Sequence, residues 1–196
     1  MKSRQTAGGL AVVLVTALSI ALAAGPAAAV GTLSATISPV TAPFGVLRAR
    51  ADNPGLALGT LTVTDTLADT TPTAWVVQVA ASACTLPASG IFANVSGPAS
   101  GVPPTDLTIT PGPVVVVTAA GGAGETTPTA GPSATFGAAV GSGFSAPITI
   151  ATGPAGALSL DNNGVFTQTA TLDVNLSGLL LAPGTFTCTL QYTITG

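Results

Sequence analysis

The sequence contains no histidine, and its one lysine, Lys2, is the second residue. Without a histidine or a later lysine, a serine nucleophile has no general base to take its proton, which excludes Ser-His and Ser-Lys catalysis. The lack of histidine also removes the commonest metal ligand. We therefore expect a protein that is not an enzyme and that binds no cofactor and no metal ion.

Positive charge is almost as scarce. After the first few residues the only cations are Arg48 and Arg50, against seven carboxylates in the chain. Nucleic-acid binding needs clustered Lys and Arg that neutralise phosphates and release counterions. The sequence therefore excludes nucleic acid as a natural partner.

The carboxylates leave two alternatives open. A pair such as Asp65 and Asp69 satisfies the minimum that a glycosidase requires, although Asp near a strand end is ordinarily a turn residue. The run 161–164, Asp-Asn-Asn-Gly, offers oxygen ligands for calcium, but its spacing does not fit an EF-hand and a plain hairpin turn explains it more simply.

Residues 1–29 have the layout of an export signal. Lys2 and Arg4 form the charged start, 10–24 is the apolar middle, and Ala27 and Ala29 are the small residues that cleavage requires. No later apolar run reaches the roughly 18 residues needed to span a bilayer. We predict cleavage after Ala29 and a mature chain, 30–196, that leaves the membrane; an uncleaved anchor is the alternative.

Two cysteines, Cys84 and Cys188, remain in the mature chain. In an exported protein a disulfide is the natural pairing, and two free thiols are the alternative. Cys188 shares the inward parity of its strand. Cys84 has the opposite parity to Trp75, so we expect it to lie past the end of its strand or after a bulge.

Strict alternation of apolar and polar residues, typical of half-buried strands, recurs along the chain. It is clearest in 61–64, in 166–176 and in 185–194, and Gln168 is the one polar residue on the inward parity of the second. Short alternating strands separated by turns predict an all-β fold, an antiparallel β-sandwich of the immunoglobulin-like or similar type, forming one domain over 30–196.

Turn residues refine this prediction. Asn163-Gly164 predicts a hairpin between 157–160 and the strand from Val165, and Asn53-Pro54-Gly55 predicts a turn before Leu56. Between 86 and 147 Pro and Gly interrupt the alternation, so we expect a loop-rich insertion, a Gly/Pro-rich elaboration of the sandwich. Within it, 114–117 is a valine run consistent with a strand buried on both faces.

The stretch LTVTDTLADTTPTAWVVQVAA (61–81) and the stretch LAPGTFTCTLQYTI (181–194) resemble the WxL domain, a surface domain of Gram-positive bacteria. The family's two Trp-x-Leu motifs correspond here to the degenerate Trp75-Val76-Val77 and Tyr192-Thr193-Ile194. The resemblance covers about 35 residues of the mature chain. It implies a β-sandwich attached non-covalently to the cell wall, with peptidoglycan or other surface proteins as partners.

Trp75 and Tyr192 are thus candidate ligand contacts, but each shares its inward parity with apolar neighbours, which favours core packing over ligand stacking. The sequence predicts a secreted, extracellular or wall-associated, non-catalytic module. The alternative is an adhesin or matrix subunit that assembles through uncharged edge strands.

Overall fold

In a computed structural model, the chain forms two β-sheets that pack face to face. The structure describes residues 10–18, 31–48, 50–66, 74–85, 101–119, 128–141, 143–153, 163–179 and 185–196. The predicted all-β sandwich is confirmed, because apart from a single 3-10 turn at Pro104–Asp106 every named element of the described chain is a strand.

One sheet has five strands in the order β10-β8-β12-β4-β2. They are β2 (Leu33–Ser38), β4 (Asp52–Asp65), β8 (Leu107–Ala119), β10 (Ala134–Thr135) and β12 (Gly164–Asn175). All of their pairings are antiparallel. Along β12, buried residues alternate with partly exposed or exposed ones as the sequence predicts, so that Phe166 and Leu172 face the core.

The other sheet has eight strands, six of them in the order β3-β1-β13-β5-β11-β9, with β6 beside β13 and β7 beside β6. They are β1 (Leu10–Leu18), β3 (Thr41–Leu47), β5 (Val76–Ala81), β6 (Cys84–Thr85), β7 (Gly101–Val102), β9 (Thr129–Ala130), β11 (Ile148–Thr152) and β13 (Thr185–Thr195). The pairing of β1 with β13 is parallel, and the other pairings between described strands are antiparallel.

The core lies between the two sheets and is built from both. Its largest fully buried side chains include Trp75, Phe136 and Phe186. The inward parity predicted for β13 is confirmed, since Phe186, Cys188, Leu190, Tyr192 and Ile194 are all buried. Burying side chains of this size stabilises the fold by about 1.5–3 kcal/mol each.

Strand β8 corrects the prediction for the middle of the chain. Although 86–147 is rich in Pro and Gly, it contains this 13-residue strand, which pairs with β12 over most of its length. The prediction that 114–117 is buried on both faces is wrong, because Val115, Val116 and Val117 are 54, 41 and 56% exposed. A register shift leaves Val117 without an opposite residue on β12, which breaks the alternation.

Two predicted turns also differ from the structure. From Gly164 onward, β12 pairs with β4 along one edge and with β8 along the other. Neither edge is therefore available for the predicted hairpin with 157–160, and residues 157–160 lie outside the described ones. Asn53-Pro54-Gly55 does not reverse the chain. It lies within β4, where Pro54 and Gly55 together oppose Asp173 in a β-bulge.

Strand β1 coincides with the apolar middle of the predicted export signal. The predicted cleavage site at Ala27 to Ala29 lies outside the described residues, so the removal of 1–29 stays a prediction. Within the described ranges, no helix has the length and apolar character needed to cross a membrane.

Candidate functional site

The predicted disulfide between Cys84 and Cys188 is confirmed. The two Cα atoms are 4.0 Å apart, the S–S distance is 1.91 Å, and the link spans 104 residues of sequence. Both cysteines are buried in the core. Cys84 reaches the core because it lies in the separate short strand β6, past the end of β5, as its parity predicts.

Two serine side chains support the backbone next to this disulfide. The Ser82 hydroxyl accepts a hydrogen bond from the Thr189 N–H at 2.9 Å, while the Ser82 N–H donates to the Thr189 carbonyl. The Ser145 hydroxyl accepts from the Ala81 N–H at 3.1 Å, and the Ser145 N–H donates to the Ala81 carbonyl. Side chains thus take over hydrogen bonds where the regular strand pairing stops.

Trp75 lies in the core. It is 1% exposed, and its ring packs at 54° to the Phe166 ring with 5.3 Å between centroids. Phe166 belongs to β12 of the five-stranded sheet, so this aromatic pair joins the two layers. Of the two interpretations that the sequence left open, core packing is the one the structure supports.

The backbone around Trp75 fits the indole closely. The Gly153 N–H donates to the Trp75 carbonyl at 2.7 Å, and a Cβ on Gly153 would collide with the indole ring. The indole N–H makes no hydrogen bond. Sequence reasoning missed Gly153, because nothing local marks a glycine that a distant ring requires.

Gln168, near Trp75, forms a polar bridge through the core. Its side-chain amide donates to the Gly112 carbonyl at 2.9 Å and to the Ile150 carbonyl at 2.8 Å. Gly112 belongs to β8 and Ile150 to β11, so one side chain bonds to both sheets. Its Oε1 atom is buried and accepts no hydrogen bond.

Tyr192 is buried as well, with 3% of its surface exposed. Burial raises the pKa of its hydroxyl above the ordinary value for tyrosine, because the ionised form would lose its hydration. Tyr192 is therefore a neutral core residue at physiological pH. Among the aromatic residues that the structure describes, only Phe44 and Phe144 are partly exposed, and the others are buried.

One open groove lies on the described surface between β3 and the start of β4. It has a volume of about 350 Å³, and its lining includes Phe44, Val46, Arg48, Asp52 and Asn53. Asn53 shapes it by accepting the Arg48 N–H at 2.7 Å and donating to the Arg48 and Ala51 carbonyls. The groove brings one cation beside apolar side chains.

Only some of the carboxylate and amide residues that the sequence singled out lie in the described part of the chain. No three His, Cys, Asp or Glu residues come together there in a way that could hold a metal ion. Asp65 is fully buried at the end of β4, whereas Asp69 lies outside the described residues. Asn163 is buried at the start of β12, and Asp161 and Asn162 also lie outside them.

No protein-family model matches this chain, and a search of curated proteins finds no similar sequence.

Proposed function

We propose that this chain is a secreted, non-catalytic module of the bacterial surface that associates with the cell wall in the manner of the WxL domain it resembles. The disulfide between Cys84 and Cys188 is the observation that best supports export, because such bonds persist in oxidising compartments outside the cytoplasm. The leader-like residues 1–29 support the same conclusion.

The surface of the five-stranded sheet also supports a module that works outside the cell. Most outward-facing positions of β2, β4 and β12 carry hydroxyls, and Asp173 is a charged exception on β12. Thr62, for instance, is paired with Thr36 on β2 and with Thr167 on β12. Threonine suits such a face, because its branched Cβ favours extended backbone while its hydroxyl bonds to water. Hydrogen bonding through these hydroxyls, and not aromatic stacking, is how we expect the module to contact a wall polymer.

Sedimentation with purified Gram-positive cell walls tests this proposal. The mature chain should sediment with the walls, and retention should change little as salt rises, since Arg48 and Arg50 are its only cationic side chains. A folded mature chain that stays in the supernatant with walls from every Gram-positive source tried would contradict wall association.

Two variants at Trp75 separate stability from binding. Trp75→Ala should lower the free energy of unfolding by about 3–5 kcal/mol, the usual cost of removing a large core aromatic, and should lose binding only through unfolding. Trp75→Phe keeps a ring against Phe166 and breaks no hydrogen bond, so it should fold and still bind. A folded Trp75→Phe protein that no longer sediments would mean that the indole contacts the ligand.

The second candidate function is an adhesin or matrix subunit that assembles through strand edges. Strand β8 favours it, because β10 is the one described strand on its outer edge and pairs only at Thr108 and Ile109. Beyond that point the edge carries the exposed Val115, Val116 and Val117 and no charge. Pro111 and Pro113 lack backbone N–H groups, however, and so weaken this edge as a pairing surface.

A further inference from the structure

Strand β1 is an interior strand of the eight-stranded sheet, flanked on both sides. It pairs in parallel with β13, from Ala11 opposite Thr185 to Leu18 opposite Tyr192, and antiparallel with β3, from Leu10 opposite Leu47 to Val15 opposite Thr41. Its sequence, LAVVLVTAL, has no charged residue. This strand is also the apolar middle of the predicted export signal.

Removal of residues 1–29 takes this strand away. Strand β13 keeps β5 and β6 on its other side but loses its neighbour along Thr185 to Tyr192, and β3 loses the described strand with which it pairs. Unpaired strand edges expose rows of N–H and C=O groups that readily accept another strand.

We propose that the mature chain carries an open strand slot between β13 and β3, and that an extended, uncharged segment of a second exported protein fills it parallel to β13. Addition of a strand in this way gains affinity from main-chain hydrogen bonds. The inference does not rest on wall binding. It requires only that the export signal is removed.

The geometry of the slot favours an extended segment that is not already paired within a sheet. A strand that lies between β13 and β3 pairs along both of its edges, as β1 does. Both edges of such a strand must therefore be unpaired before it binds. In another copy of the mature chain, β13 already has one edge paired with β5, whereas β3 has lost its described partner, so a stable dimer of the mature chain is the competing outcome. Neither β13 nor β3 contains a charged residue, so a charged segment would find no counter-ion on the flanking strands.

The test uses the secreted mature protein and a synthetic peptide with the sequence of Leu10–Leu18, made soluble by lysines added at both ends. The peptide should bind saturably, raise the melting temperature in proportion to its occupancy, and slow hydrogen exchange in 185–192 and 41–47. A control peptide with Val13→Pro and Val15→Pro lacks two N–H donors and should bind at least about tenfold more weakly.

Four results would overturn the proposal. They are a secreted protein whose N-terminal sequence still begins at Met1, equal affinity for both peptides, exchange protection in 185–192 that is already complete without peptide, and a stable dimer of the mature chain that the peptide does not displace. Wall sedimentation of the same preparation is measured separately, so failure of one proposal leaves the other standing.

Discussion

The two sheets of the sandwich are held together in different ways. In the five-stranded sheet, β12 pairs with β4 and with β8 along nearly its whole length, and every pairing is antiparallel. The eight-stranded sheet combines longer strands such as β13 with the two-residue strands β6, β7 and β9. Where its ladder stops, the Cys84–Cys188 disulfide and the hydroxyls of Ser82 and Ser145 take over.

This difference indicates that one sheet is stabilised mainly by its own backbone ladder and the other by cross-links. A continuous ladder needs only the right alternation of residues, which many sequences satisfy. A sheet whose backbone ladder is interrupted depends on individual side chains at fixed positions to complete its hydrogen bonds. We therefore expect the two sheets to respond differently when single links are removed.

Among these links, the disulfide should have the largest effect when it is removed. Replacing both Cys84 and Cys188 by alanine should lower the free energy of unfolding by about 2–5 kcal/mol, because the unfolded chain loses a constraint across 104 residues. Urea denaturation measures the change. Hydrogen exchange should show the loss of protection first in β5 and β13, with β4 and β12 affected last.

Equal loss of exchange protection in both sheets would show that the sandwich unfolds as one unit. It would contradict the proposed difference in how the two sheets are stabilised. Thiol labelling of the denatured, unreduced wild type is the control, and we expect it to give no signal. Two reactive thiols per chain would contradict the disulfide itself.

A smaller effect should follow removal of the polar bridge between the sheets. Gln168→Met keeps an unbranched side chain of similar length but leaves the Gly112 and Ile150 carbonyls without this donor, so we expect a loss of roughly 1–3 kcal/mol. Thermal and urea unfolding measure it. Thr169→Val is the matched control, since Thr169 is exposed on the same strand and should change stability by less than about 0.5 kcal/mol. If the Gln168→Met protein were as stable as wild type, the cost of burying Oε1 without a hydrogen bond would equal the stabilisation from the two hydrogen bonds that the amide donates.

The prediction with the smallest effect on stability at neutral pH concerns ionisation of the Tyr192 hydroxyl. Its pKa is higher in the folded protein than in the unfolded chain, so folding loses nothing below the unfolded pKa of about 10 and becomes less favourable as pH rises above it. Tyr192 is the only tyrosine, so tyrosinate absorbance reports on it alone. We expect this signal to rise together with loss of circular dichroism. Ionisation at about pH 10 in a protein that remains folded would contradict burial of the hydroxyl.

The sequence predicted the features that depend on local pattern and missed those that depend on distant partners. Alternation was enough to identify β13 and most of β12, the inward position of Gln168 and the break before Cys84. It did not identify which strands flank β12, because both β4 and β8 are far away in the chain. The sequence predicted a turn at Pro54 and Gly55, because proline and glycine occur in turns and in β-bulges alike. The feature that marks the bulge is the Asp173 carboxylate, which accepts the Gly55 N–H at 2.6 Å.

The aromatic residues of the proposed site show the same limit. Alternation correctly placed Trp75 and Tyr192 on an inward parity, but it could not tell a core from a binding cleft, since both are lined by inward residues. Only the Phe166 ring from the other sheet and the close approach of Gly153 distinguish the two.

The hydroxyl-rich outer face of the five-stranded sheet has a consequence for how the protein responds to a change in pH. A threonine hydroxyl carries no charge at any biological pH, and the chain has no histidine to titrate between about pH 5 and 8. Across that range this face presents the same pattern of donors and acceptors. A contact made through these hydroxyls would therefore persist across that pH range.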